Sequence, residues 1–314
     1  MSTKSSSPKS STVLVLGSGP AGGTAALYLA RARRAPLIVT GPLFGGQLMT
    51  TPAIENYPGF FPATESCTLM ETLRAQAEHF GATFVMDTIV RVDFSRRPYL
   101  CQGEEASYEA AAVVIATGAT ACWLSVPGEE RLRGAGVSAC ATCDGAFFRN
   151  KHVAVVGGGN TAVEEALFLA RLAAQVFLIH RRETLRAEKI QQERLFSCAN
   201  ITCLWNKKVT ECRGEKRLEA VILQDIQTGL LEILPLDGLF VAIGHRPETS
   251  FLDGQLELNE EGRLLTTPGS TQTSVSGVFA AGDVRALSHK QAIIAAGQGC
   301  QAALEVEQFF RENE

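Results

Sequence analysis

Cys140 and Cys143 stand three positions apart in Cys-Ala-Thr-Cys-Asp-Gly, and an acid, Asp144, follows the second thiol directly. Two thiols at that spacing can close into a small disulfide ring and reopen. Each half-cycle needs thiolates and a group that carries the proton, a part open to Asp144. Taken alone, the pair also fits half of a zinc site or two inert core thiols. Zinc needs a second pair, and the candidates Cys198, Cys203 and Cys212 come without a histidine at ligand spacing. No metal is therefore expected, and what favours a working dithiol is the company the motif keeps.

Two further stretches could hold the reagents of such chemistry. Val13-Leu14-Val15-Leu16 feeds Gly17-Ser18-Gly19-Pro20-Ala21-Gly22, then an Ala/Leu-rich helix to about Arg33 and a strand from Leu37 to Val39. Strand, glycine turn and helix in that order bind a dinucleotide, because the glycines let a pyrophosphate approach the free amides of the helix N-terminus. Thr40 stands where an acid often holds a ribose hydroxyl. The pattern returns as Val153-Ala154-Val155-Val156 into Gly157-Gly158-Gly159-Asn160-Thr161-Ala162, with a helix from about Val163 to Leu172 and a strand from Val176 to Ile179. After that second strand come His180-Arg181-Arg182, with Arg186 four residues past Arg182. Cations there suit a ribose 2′-phosphate, so the expected ligand is the phosphorylated nicotinamide cofactor, preferred over NADH.

The positioning elements follow from pattern. Gly45 to Phe60 is too rich in Gly, Pro and amides for a regular element; in that shaped loop Gly46, Gln47 and Asn56 offer groups able to line a flavin ring or its ribityl chain. Leu69 to Phe80 is an expected amphipathic helix and Thr83 to Phe94 a pair of strands. Val113-Val114-Ile115 ends in Ala116-Thr117-Gly118, and Val278-Phe279-Ala280 runs toward Gly282-Asp283. Strands that stop at small residues let the backbone touch a cofactor. Strands continue from Thr202 to Ile243, Gly244-His245-Arg246-Pro247 reads as the return linker, and Gln291 opens an Ala-rich helix to about Glu312 whose dipole would favour an anionic reduced flavin.

At 314 residues, 46% hydrophobic and 20% charged, the chain is long enough for two domains with ordinary cores. A net charge of -4 argues against nucleic acid or anionic membrane as partners. Nine cysteines, an odd number with no secretory signal, read as mostly reduced thiols, so the cytoplasm is the expected compartment. Residues 1–11 read as a disordered tail, and no apolar run reaches the roughly 18 residues of a membrane helix.

With those motifs in place, the chain resembles the low-molecular-weight thioredoxin reductases from about Val13 to Phe310, in motif order as well as content. The resemblance implies an α/β protein with two Rossmann-like dinucleotide-binding domains of three-layer ββα build. The FAD domain would comprise 12–121 and 246–314. An inserted NADPH domain, 122–245, would carry the cysteine pair, and the assembly would be a homodimer. It implies that Cys143 faces the flavin, Cys140 attacks the disulfide of thioredoxin, and Asp144 is the acid. It also implies that Asp283, Lys290, Gln291 and Ala292 lie at FAD-contacting positions. The family's usual Tyr-Arg-Gln-Ala is His289-Lys290-Gln291-Ala292 here, a point charge in place of a fork. Rotation of the domains about Ala119–Cys122 and Gly244–Pro247 is expected. The rival readings are a similar flavoprotein serving another disulfide or peroxidase partner, and a flavin sensor that does not turn over.

Overall fold

The computed structural model describes residues 8–50, 53–286 and 289–313. The chain divides into two compact units, one running to Thr120 and resuming at Arg246, the other spanning Ala121–His245.

The first unit is laid out on β1 (Lys9–Leu16), followed by α1 (Pro20–Arg31), β2 (Leu37–Val39), α2 (Ser66–His79), β3 (Thr83–Val85), β4 (Ile89–Asp93), β5 (Tyr99–Gly103) and β6 (Ser107–Ile115). The sheet runs β3-β2-β1-β6-β5-β4, parallel from β3 through β6, with β5 and β4 returning antiparallel. The period-two alternation of β1 divides its side chains between two cores. Val13 and Val15 face the helices with Ala25, Leu29 and Val306, while Leu14 and Leu16 face Phe94, Tyr99 and Phe251. Each such fully buried side chain contributes roughly 1.5–3 kcal/mol, so a charged residue at Val15 would break this layer.

The second unit repeats the scheme. Its elements are β7 (Val137–Ser138), α3 (Ala141–Asp144), β8 (His152–Val156), α4 (Asn160–Ala170), β9 (Gln175–His180), α5 (Lys189–Phe196), β10 (Ile201–Trp205), β11 (Lys207–Arg213), β12 (Ala220–Asp225), β13 (Leu231–Pro235) and β14 (Gly238–Val241). A five-stranded parallel sheet, β7-β14-β8-β9-β10, carries helices on one face, where Val153 and Val155 meet Val163, Ala166 and Leu169. The antiparallel β11-β12-β13 sheet covers the other, where Ala154 and Val156 meet Val209 and Val221. This is the ββα layering expected of a Rossmann-like domain. The chain then returns to the first unit with β15 (Val278–Ala280), parallel to β6, and α6 (Ala292–Asn313).

Three local expectations change. The tail read over 1–11 ends sooner: Lys9, Ser10 and Ser11 register against Tyr108, Glu109 and Ala110, because ladder hydrogen bonds need only main chain; residues 1–7 lie outside the described residues. The loop after Gly45 contains regular pieces, a 3-10 turn at Gly46–Thr50 and a two-residue strand, Ala53–Ile54, paired with Thr64–Glu65. The return at Gly244–Pro247 includes a short strand, His245–Pro247.

Candidate active site and nucleotide turns

β7 ends at Ser138, two residues before the redox pair, and that hydroxyl organises the ring. It donates to Asp144 Oδ2 at 2.6 Å and accepts the Cys140 N–H at 3.1 Å. Cys140 and Cys143 form a disulfide with Cα atoms 5.3 Å apart, and Thr142 Oγ1 lies 3.4 Å from Cys140 Sγ. The ring is anchored by fully buried Ala141 and by Gly145, where an added Cβ would meet the Phe168 ring at 3.0 Å. Burial raises the Asp144 carboxyl above the ordinary Asp range, against the Ser138 hydrogen bond that lowers it. An acid that keeps its proton to higher pH suits the transfer expected of it. Sequence reading missed two participants. Ser138 gives no signal in the chain. Glu165 gives a weak one, as an acid set among the buried Val163, Ala166 and Leu169 of α4.

At the first turn the backbone leaves no room for a side chain at Gly17 or Gly22. Gly17 has φ +104°, and a Cβ there would sit 2.3 Å from the Ala116 carbonyl oxygen; at Gly22 it would sit 1.9 Å from that of Gly17. Gly19 caps α1 in extended backbone and Pro20 occupies the first helical turn, where no N–H is missed. Ser18 donates to the Thr40 carbonyl at 3.0 Å and accepts the Gly45 N–H at 3.1 Å, which brings Gly46 beside the turn. Ala116, Thr117 and Gly118 follow β6, and Thr117 donates to the Glu248 carbonyl at 2.7 Å. Gly282 lies against Ala21, and its N–H reaches Gln298 Oε1 at 2.8 Å. Asn56 donates to Gln291 Oε1 at 3.3 Å, which joins two expected contacts, while Gln47 is exposed. Asp283 is raised by burial against the pull of the Lys290 and Arg263 charges, and burial lowers Lys290. Ala292 opens α6.

At the second turn a Cβ on Gly157 would sit 2.5 Å from the Ala242 carbonyl oxygen, whereas Gly159 faces open space. Asn160 Oδ1 accepts the Glu188 N–H at 2.8 Å, and the Arg186 N–H closes onto the Gly158 carbonyl at 2.7 Å, so the segment carrying Arg186 is tied to the turn. Arg181, Arg182, Arg186 and Thr161 are exposed. His180 departs from the clamp in which the sequence placed it. Its ring is buried beneath Gly158, where an added Cβ would meet it at 2.2 Å, and its Nε2 lies 3.1 Å from the Thr184 carbonyl oxygen. Burial lowers its pKa and so favours the neutral ring, which supports the turn from below. Around both turns, glycines that tolerate no Cβ on the strand side and open space at Gly118 and Gly159 make cradles that fit a dinucleotide.

A family model described as pyridine nucleotide-disulphide oxidoreductase matches residues 11–299. The thioredoxin reductase of Rickettsia felis is 46% identical over 304 residues, 96% of this chain and 98% of that protein. That of Streptomyces coelicolor is 47% identical over 300 residues, 95% and 93% of the two chains. Among solved structures, thioredoxin reductase from Streptococcus pyogenes is 37% identical with a TM-score of 0.92, covering 98% of this chain and all of its own.

Proposed function

The chain belongs to the pyridine nucleotide-disulphide oxidoreductases, and among them to the thioredoxin reductases, and from that premise we propose that it passes two electrons from NADPH through FAD and the Cys140–Cys143 disulfide to oxidised thioredoxin. One observation carries the reading: a closed Cys140–Cys143 disulfide, beside the half-buried acid Asp144, lies in the same unit as a glycine turn flanked by Arg181, Arg182 and Arg186.

FAD held by Gly17, Gly19, Pro20, Ala21, Gly22, Gly46, Gln47, Asn56, Ala116, Thr117, Gly118, Gly282, Asp283, Lys290, Gln291 and Ala292 would supply the means of turning a hydride into an electron pair for a disulfide. NADPH would lie on Gly157, Gly159, Asn160 and Thr161, its 2′-phosphate on the arginines. The chain's own groups then do the following. When the pair is reduced, its S–S bond breaks and the electrons rest on sulfur as one thiolate and one thiol. The Cys140 thiolate attacks one sulfur of the thioredoxin disulfide and forms a mixed disulfide, expelling the other sulfur of thioredoxin, to which Asp144 gives a proton. Cys143 then gives up its proton and attacks the Cys140 sulfur of the mixed disulfide, which breaks the bond to thioredoxin, releases the second thioredoxin sulfur as a thiol and closes the ring.

The remaining seven cysteines are free thiols, which supports a reducing compartment, the cytoplasm. No helix among the described residues is long and apolar enough to cross a membrane. The functional assembly in this reading is a homodimer. The test is NADPH consumption by the purified protein with and without oxidised thioredoxin, with released thiols counted. One NADPH per two thiols, only in the presence of thioredoxin, supports the reading; NADPH consumption that ignores the disulfide overturns it.

A further inference from the structure

Glu165 plays no part in the steps above, yet it touches the ring. It lies on α4, one residue beyond exposed Glu164, and turns inward. Oε1 accepts the Ala141 N–H at 3.3 Å, and Oε2 is buried with no hydrogen-bond partner among the described residues. Ala141 directly follows Cys140 and is itself fully buried, so this contact fixes the backbone inside the disulfide ring.

A carboxylate in that position is awkward. Leaving a buried polar group unsatisfied costs about 1–3 kcal/mol, and more when it is charged. The elements packed against α4 bring Asp144 from α3, His152 from β8, His180 from β9, and Lys189, Glu193 and Arg194 from α5. None of these pairs with Glu165 among the described residues. Burial first, and the Glu164 charge after it, push the carboxyl up to about 7, while the Ala141 N–H pulls the other way.

We infer that Glu165 is a positioning residue for the redox ring, holding the Ala141 N–H and taking up a proton when the Cys140–Cys143 bond opens. Opening the bond with two electrons, which NADPH supplies, leaves one sulfur as thiolate and protonates the other. The new negative charge beside Ala141 makes an ionised Glu165 costlier, so the carboxylate takes a proton from solvent and returns it when thioredoxin reoxidises the pair. Proton uptake by Glu165 thus accompanies reduction in the pH range where the closed ring leaves it ionised. This rests on the proposed reading of the pair as the reductase dithiol.

The experiment equilibrates the holoenzyme, without oxygen, in dithiol/disulfide buffers from pH 6 to 9. Thiols are then alkylated, and the open fraction of the Cys140–Cys143 peptide is measured by mass spectrometry. In the parent, the potential should fall more steeply with pH around neutrality, by up to about one additional proton per two electrons. Glu165→Gln should lose that steeper section. Glu164→Gln should keep it and shift it to lower pH, since a like charge has gone. If Glu165→Gln does not fold, the Glu164→Gln shift still decides. A parent profile without the steeper section, one that survives Glu165→Gln, or one unmoved by Glu164→Gln overturns the inference and leaves the reductase reading standing. A pair that stays closed in every buffer overturns that reading as well.

Discussion

At Gly19 and at Gly159 the chain enters a helix through the same extended backbone, φ -67° and ψ -174° in one, φ -93° and ψ -179° in the other. In both, the N–H four residues on, of Gly23 or Val163, closes onto the glycine carbonyl. The two turns differ at their third small residue and at the end of the strand that follows. The first has Gly22, wedged against the Gly17 carbonyl, and is pressed from the far side by Gly299 of α6, where a Cβ would sit 2.0 Å from the Ala21 oxygen. The second accommodates the methyl of Ala162, and its Gly159 faces open space. After the following strand stands Thr40 in the first and Arg181-Arg182 in the second. Backbone sterics thus set what is common, a helix N-terminus whose free N–H groups can receive an anion, while packing and the next few side chains set what is different. A turn clamped between two helices suits a cofactor that stays; an open one with cations at its rim suits a nucleotide that exchanges.

The sharpest break of that comparison is Gly22→Ala. Its Cβ would lie 1.9 Å from backbone oxygen, and overpacking of this kind costs about 1–3 kcal/mol. Purified Gly22→Ala is expected to lose bound flavin and to melt earlier. Ala162→Gly in the other turn should cost only about 1 kcal/mol or less and leave flavin content unchanged. Equal flavin content in the two variants would remove the distinction between the turns.

Arg182→Ala is next in size. Loss of one charge-assisted contact costs roughly 1.5–3 kcal/mol, so the KM for NADPH should rise about tenfold or more with little change for NADH. A matching rise for both nucleotides would show that the arginine does not read the 2′-phosphate.

The smallest effect concerns His180, whose folded pKa is depressed by burial. Its contribution is present above the unfolded value of about 6.5 and is lost as pH falls from there toward the folded value, because the unfolded chain then binds the proton more readily. Melting curves between pH 7.5 and 5.5 should therefore fall more steeply in the parent than in His180→Asn. Parallel curves would mean that the imidazole beneath Gly158 titrates freely.

The redox pair and both turns were legible because each is spelled in contiguous residues whose chemistry is local: two thiols, an acid, glycines and a Pro or Asn at a helix start. Fold class followed from the same stretches, since strand, turn and helix recurred twice. What was hidden depends on contacts between distant segments. Ser138 is one hydroxyl among many until β7 delivers it to Asp144. Glu165 looks like half of an ordinary Glu-Glu pair until α3 packs on it. His180 groups with its basic neighbours in the sequence because one-dimensional proximity cannot show that successive residues at a strand end, such as buried His180 and exposed Arg181, face opposite ways. Lys9 to Ser11 lacked apolar residues, yet pair through main chain.

The proposed electron path is tested most directly by mixing the purified protein with NADPH in the absence of oxygen and mapping new thiols by alkylation, before and after adding oxidised thioredoxin. The expected result is two new thiols, at Cys140 and Cys143 and at none of the other cysteines, which disappear as thioredoxin gains an equal number; Cys140→Ser and Cys143→Ser should each fail to turn over. NADPH oxidation with the Cys140–Cys143 bond still closed, or thioredoxin reduction at the parent rate by either variant, would contradict it.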